Sequence, residues 1–359
     1  MSTGTTYLRK DGRWETRVSL GVVDGKRQTK SFYGRTKEEA EGKMMAEVMN
    51  GMSFQVTELT VKALCMEWLS VNSHRVKVST QANYMTKIEK HILPYFGDKM
   101  CCEVTSKTVY GFIQTKLDEG LSAGYVSNIL VLLKTVFKYA QREYKVLNPF
   151  DNVIMPKSSK AETRLLTKKE QKKLKEYLKN NVNTATLGIS LAISMGLRIG
   201  EICGLTWQDI DFKSRTLTVR RTVQRIRVKG EAKKTKIVIL PPKSKSSFRE
   251  IPIPASVFAM LKDLRSTPEH YILSDSTEPK EPRMMYYDYV EILKELGLPS
   301  VKFHSLRHAA ASNAIEAGFD VKTLSEVLGH SRIEMTMNLY VHSNMDRKRK
   351  LMDKLDINT

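Results

Sequence analysis

Between Asn148 and Leu166 the chain carries two prolines, Pro149 and Pro156, and a polar basic run, Lys157-Ser158-Ser159-Lys160, with little apolar periodicity. Proline interrupts helix and sheet ladders, and a segment without an apolar face cannot join a core. The stretch therefore predicts a linker over 151–166 and forbids one continuous fold. A length of 359 residues leaves room for a body of ordinary domain size on each side, and 41% hydrophobic residues suffices to give each a core.

Upstream of the linker, residues 57–150 read as a helical bundle. Val126, Ile129, Leu130, Leu133, Phe137 and Ala140 recur at three- and four-residue intervals after an N-cap at Ser122, the pattern of a helix with one buried face. A second helix is expected after Ser79 or Thr80, through Tyr84, Ile88 and Ile92, stopping at Pro94. Residues 1–55 read differently. Two turn signals, Asp11-Gly12 and Asp24-Gly25, separate short β-type runs, and Thr36 with Glu39 has capping-box spacing for a following helix. On the middle strand, Trp14, Thr16, Val18 and Leu20 share one face and Glu15, Arg17 and Ser19 the other. Arg9, Lys10, Arg13, Arg17, Lys26, Arg27 and Lys30 make this small module strongly basic.

Charge narrows the partners. The chain has 59 Lys+Arg against 39 Asp+Glu, a formal net charge of +20, which suits a partner with repeated negative charge. No run approaches the ~18 apolar residues of a membrane span, and the N-terminus carries no secretory pattern, so the expected location is the cytoplasm. Cys65, Cys101, Cys102 and Cys203 lack paired metal-site spacing and read as reduced thiols.

Downstream of the linker, Thr167 and Glu170 again have capping-box spacing and open a domain over 167–359. Around Ser194-Met195-Gly196-Leu197-Arg198-Ile199-Gly200-Glu201 an apolar helix breaks at Gly196 and restarts at Arg198. An arginine at such a restart can reach into a cleft, though arginines at helix starts are ordinarily surface residues. Runs over 216–223, 236–240 and 249–253 read as one antiparallel sheet with basic hairpins, whose cations, including Lys243, Lys245 and Arg249, suit contacts spread along a phosphate backbone. His304 and Arg307 stand three apart on one face of a helix start, Leu328-Gly329-His330 has the form of a helix C-terminus, and Tyr340 follows ten residues later.

Arg198, a hairpin lysine, His304-x-x-Arg307, Leu328-Gly329-His330 and Tyr340 resemble, in order and spacing, the catalytic set of the tyrosine site-specific recombinases, the integrases of phages and conjugative elements. Gly196-Leu197-Arg198-Ile199-Gly200-Glu201, Leu205-Thr206-Trp207, Ile251-Pro252 and Tyr340-Val341-His342 extend the resemblance. It implies a multidomain α+β chain. An arm-binding sheet module, a helical core-binding domain and a mainly α catalytic domain with a small antiparallel sheet would follow one another. It also implies Arg198 and Arg307 as clamps on the scissile phosphate, Tyr340 as nucleophile, and His304 and His330 as hydrogen-bonding and proton-transfer groups. Lys243 is the preferred general acid, with Lys245 as alternate. The remaining DNA contacts are expected from the sheet module, from Lys157 and Lys160 in the linker, and from Lys245 and Arg249.

The chemistry fits the residue types. An unperturbed tyrosine, of pKa ~10, is a weak nucleophile at neutral pH, and guanidinium groups meet the growing negative charge of a phosphorane with paired hydrogen bonds. The scheme requires no metal or cofactor, and the sequence holds no HExxH, paired CxxC or ATP-binding loop. The implied partners are double-stranded DNA, at core and arm attachment sites, three further copies in a synaptic tetramer, and a DNA-bending host factor and an excision factor. The tail, with Leu351, Met352, Leu355 and Ile357, could dock on a neighbouring copy or on its own domain. A type IB topoisomerase and a catalytically silent DNA-binding relative are the competing readings.

Overall fold

The computed structural model describes residues 5–23, 26–53, 59–157, 164–228, 235–242, 245–334, 336–337, 349 and 352–353, with backbone alone at 18–23, 26–30, 47–53 and 245. The chain divides into two compact units, Met1–Lys160 and Ala161–Thr359, and the division falls inside the stretch expected to link domains.

The first unit opens with an antiparallel sheet of β1 (Thr5–Leu8), β2 (Trp14–Val23) and β3 (Lys26–Gly34), followed by α1 (Lys37–Ser53). Thr36 Oγ1 caps the Glu39 N–H at 3.2 Å, while the Glu39 carboxylate turns back to the Arg35 N–H at 2.8 Å. Glu15, on the strand face opposite Trp14 and Thr16, is buried. Arg9, Arg17 and Ser31 close over its carboxylate, and their hydrogen bonds replace the water it gives up.

The helical part contains α2 (Val61–Asn72), α3 (Val78–Lys87), α4 (Leu93–Phe96), α5 (Ser106–Asp118) and α6 (Ala123–Tyr144). Ser122 caps α6 as its spacing predicted, and the periodic face of α6 is fully buried. Phe96 and Phe112 meet at 5.0 Å between ring centres within that core, and Phe137 reaches Phe150 at 6.1 Å. Pro94 does not end the second helix. A π turn over Ile88–Ile92 joins α3 to α4, and Pro94 lies in the first turn of the new segment, where a missing N–H costs little.

The second unit is built on α8 (Thr184–Met195), which is apolar nearly all round and packs against α7 (Lys168–Asn180), α9 (Ile199–Cys203), α10 (Ala255–Asp263), α11 (Pro282–Glu295) and α12 (His304–Glu316). A helix without a polar face is stable only in the middle of such a layer. Thr167 and Glu170 form the expected capping box on α7. The single sheet expected over 216–253 is two. One joins β4 (Ile210–Asp211), β5 (Thr216–Val219) and β8 (Arg249–Pro252), and the other pairs β6 (Thr222–Arg227) with β7 (Thr235–Leu240). The break comes at Arg220-Arg221, where Arg221 turns inward to the buried Asp209 carboxylate at 3.1 Å and to Thr206 Oγ1 at 2.9 Å. Last comes α13 (Val321–Leu328), which touches α12 and β8. Among the described residues, no helix is long and apolar enough to cross a membrane.

Candidate active site

The site is assembled by two left-handed glycines. Gly196, at φ 68°, ends α8 and lets the chain turn at once into Arg198, whose extended backbone caps α9. Gly329, at φ 64°, ends α13 and releases His330 from the helix. A Cβ at Gly196 would come within 2.5 Å of Leu328 Cδ2, so the two turns pack directly on each other.

Three guanidinium groups converge on the end of α13. Val327 O accepts from Arg249 Nε at 2.7 Å, Leu328 O from Arg307 Nη2 at 2.7 Å, and Gly329 O from Arg198 Nη2 at 3.2 Å. Terminal helix carbonyls have no partner within the helix and carry the negative end of its dipole, so cations belong there. Arg307 is itself buried and donates its other arm to Gly196 O at 2.6 Å, tying both turns to α12. Burial, and then the neighbouring Arg198 and Arg249, push its guanidinium down to about 9, still charged at neutral pH. Arg198 is more open, with 35% of its side chain exposed.

Among the described residues, the one carboxylate in this cluster is Glu201. Its Oε1 accepts from Arg198 Nη1 at 2.6 Å, and its Oε2 from the Arg198 N–H at 3.0 Å and Arg249 Nη2 at 3.1 Å. Burial raises the Glu201 carboxyl, but Arg249 and Arg198 outweigh that and hold it below the usual range. Three guanidiniums against one carboxylate leave an excess of two positive charges.

Both histidines stand beside this charge. His304 is the first residue of α12, and its ring meets that of His308 edge-on at 5.0 Å. Burial lowers His304, and His308, Arg307 and Arg198 add to the effect. His330 Nδ1 is 2.7 Å from the hydroxyl of the fully buried Thr336, which fixes the ring and leaves Nε2 for a substrate. Burial, then Arg307 and Arg198, push His330 down to about 4, so both rings are neutral at pH 7.

The structure thus brings Arg198, Arg307 and His330 together, with His304 near enough to feel both arginines. Tyr340 and Lys243 lie outside the described residues, as do Lys160 and most of the tail. For Lys245 the backbone alone is described, in a short 3-10 turn before β8. Arg249, expected as a phosphate contact, is a correction. Its side chain is only 6% exposed and is spent on Glu201 and on backbone carbonyls. Glu201 and Thr336 carry no assignment in the sequence reading; the Arg198-x-x-Glu201 spacing at a helix start was the available signal for the first, and nothing local marks the second.

In the sheet module, Arg9 and Arg13 lie over the Tyr33 ring at 5.4 and 5.6 Å and Arg17 over Tyr7 at 5.9 Å. The Ser31 hydroxyl, Arg9 and Arg17 hold the Glu15 carboxyl down at about 2. Arg9 and Arg17 are therefore oriented donors rather than free ones. Lys10 and Lys157 are exposed, and the side chains of Lys26, Arg27 and Lys30 lie outside the described residues.

A mainly helical unit with three arginines around one helix end and two histidines beside them has the cationic and hydrogen-bonding groups to hold a phosphodiester. Residues 164–347 match the phage integrase family and residues 60–117 match the family's N-terminal SAM-like domain, so the chain belongs to the phage integrase family. It is 31% identical to the XerC-like tyrosine recombinase of Caldanaerobacter subterraneus subsp. tengcongensis, over 99% of both chains. Identity to the ICEBs1 integrase of Bacillus subtilis is 24%, over 97% of this chain and 98% of that one. The fold is shared with the Tn1549 transposon integrase, solved in complex with a circular intermediate DNA. That likeness has a TM-score of 0.67 and 23% identity, over 82% of this chain and 99% of the other. The chain is accordingly a tyrosine recombinase of integrase type, an enzyme of DNA cleavage and rejoining.

Proposed function

We propose that the chain integrates a bacterial mobile element, excises it, or does both, in the cytoplasm, acting on duplex DNA through a 3′-phosphotyrosine. The observation that carries this reading is the cluster of Arg198, Arg307 and Arg249 around Glu201, with its surplus positive charge beside two neutral histidines. A phosphodiester seated there meets Arg198 and Arg307 through its non-bridging oxygens, and the charge that grows on them in the phosphorane is stabilised in place. Tyr340 Oη attacks phosphorus and gives its proton to neutral His304. The bond to the 5′-oxygen breaks, and Lys243, or Lys245 in its stead, protonates the leaving oxygen. His330 donates or accepts through Nε2 at the same phosphate. A 5′-hydroxyl from another duplex then reverses the step, so the bond energy is conserved and no external energy source enters.

Two duplexes each cut on both strands need four nucleophiles, hence four copies in the synaptic complex. Residues 1–55 read arm sites and residues 57–150 the core site, residues 151–166 connect, and residues 167–359 perform the chemistry. A DNA-bending factor and an excision factor complete the assembly.

The test is covalent trapping on suicide duplexes bearing the element's ends. The wild type should give a protease-sensitive shifted band on a denaturing gel, and Tyr340→Phe should bind the same duplex and give none. Tyrosine-independent trapping, or binding without trapping by the wild type, would overturn the reading. Joining of the trapped end to a second duplex separates it from a topoisomerase.

A further inference from the structure

We propose that Arg249 is a positioning residue of the reaction, holding the Arg198 guanidinium and the His330 turn in place through Glu201 and the end of α13. The proposal rests on the active-site reading above. All three guanidinium nitrogens of Arg249 are engaged within the protein: Nε with Val327 O at 2.7 Å, Nη1 with Ser247 O at 3.1 Å and Glu201 Oε1 at 3.3 Å, and Nη2 with Glu201 Oε2 at 3.1 Å. With its side chain buried, it has nothing to offer a phosphate directly.

Its effect passes through shared partners. The two oxygens that Arg249 takes are the same two that hold Arg198, so Arg249 neutralises much of the carboxylate and leaves Arg198 its charge for the substrate. Remove Arg249, and Glu201 becomes an undivided counter-ion that draws Arg198 into a one-to-one pair. The His330 turn leans on the same side chain, because a Cβ at Gly329 would lie 3.0 Å from Arg249 Cδ and Nη1. Arg249 also ties down Ser247, the last residue of the turn that begins at Lys245. A buried ion cluster adds little net stability over an apolar replacement, so what this one supplies is geometry.

The experiment uses the full chain and a suicide duplex made with either a natural scissile phosphodiester or an uncharged methylphosphonate at the same position. Arg249→Met should cleave the phosphodiester about 10- to 100-fold more slowly, the usual effect of losing an outer-shell orienting group, while binding the duplex within about threefold of wild type. Arg249→Lys restores charge but not the planar fork, and should remain about tenfold slow. On the methylphosphonate there is no phosphate charge for Arg198 to neutralise, so the gap between wild type and Arg249→Met should close to about threefold. Wild-type cleavage by Arg249→Met, or an equal deficit of both variants on both linkages, overturns the proposal. In either case a tyrosine-dependent complex from the wild type keeps the recombinase reading intact, and its absence from the wild type overturns both.

Discussion

The charge cluster makes His330 an acid-sensitive weak point. Burial and the arginines push the ring from 6.5 to about 4 in the folded chain, whereas in the unfolded chain it binds a proton near its ordinary value. Because the folded value is the lower one, the unfolded chain holds more protons between the two, and stability rises with pH across that window and is lost as pH falls. Linkage between those two values gives a loss of about 2 kcal/mol on going from pH 7 to pH 5, and the ring's partial exposure reduces this to about 1 kcal/mol through solvent screening. His330→Asn removes the titration and keeps a polar atom for Thr336. The chain has three tryptophans, and Trp207 alone lies in the second unit, buried, with its Nε1 lacking a hydrogen-bond partner. Trp14→Phe and Trp68→Phe therefore make fluorescence report that unit. Urea titrations at pH 7 and pH 5 should give the Asn variant a smaller acid loss than its parent, by about 1 kcal/mol. His304 and His308 are present in both chains and cancel in the comparison. Equal losses would refute the placement of His330 against the arginines.

Other outcomes follow from the same geometry. Gly196→Ala puts a side chain at φ 68° and 2.5 Å from Leu328 Cδ2, and should destabilise the second unit by about 1–3 kcal/mol in urea while slowing cleavage. A duplex with sulfur in place of the 5′-bridging oxygen needs no acid to release its leaving group. Lys243→Ala should therefore cleave oxygen slowly and sulfur at the wild-type rate, and Lys245→Ala should cleave both at the wild-type rate; the reverse pattern would assign Lys245. Glu15→Gln frees Arg9 and Arg17 from their shared anchor, and should weaken arm-site binding by filter assay while leaving suicide-substrate cleavage unchanged.

What could be read from the sequence was local. Ser122, Thr167 and Gly196 announce helix ends through bonds that close within three or four residues, and each stands where its spacing placed it. The failures share the opposite cause. Arg221 breaks the strand because of Asp209, twelve residues away. Pro94 misleads because the preceding turn widens to a π turn, which no residue pattern signalled.

The arginines carry this furthest. Arg198, Arg249 and Arg307 are chemically identical, and charge density alone assigned Arg249 to DNA. Their roles are separated by the positions of one carboxylate and three consecutive carbonyls. Arg249 is buried, with four of its five N–H donors spent on the Glu201 oxygens, Val327 O and Ser247 O, and Arg307 divides its two arms between Gly196 O and Leu328 O. Arg198 shares Glu201 and stays one-third exposed. A site that binds a phosphate needs cations with unspent donors, and unspent donors depend on where every other acceptor in the fold has gone. Apart from the local Arg198–Glu201 and Arg249–Ser247 pairs, that accounting is set by contacts between residues 21 to 131 positions apart, so in this chain the motif names the arginines and only the packing of α13 against β8 and α12 decides which of them can act.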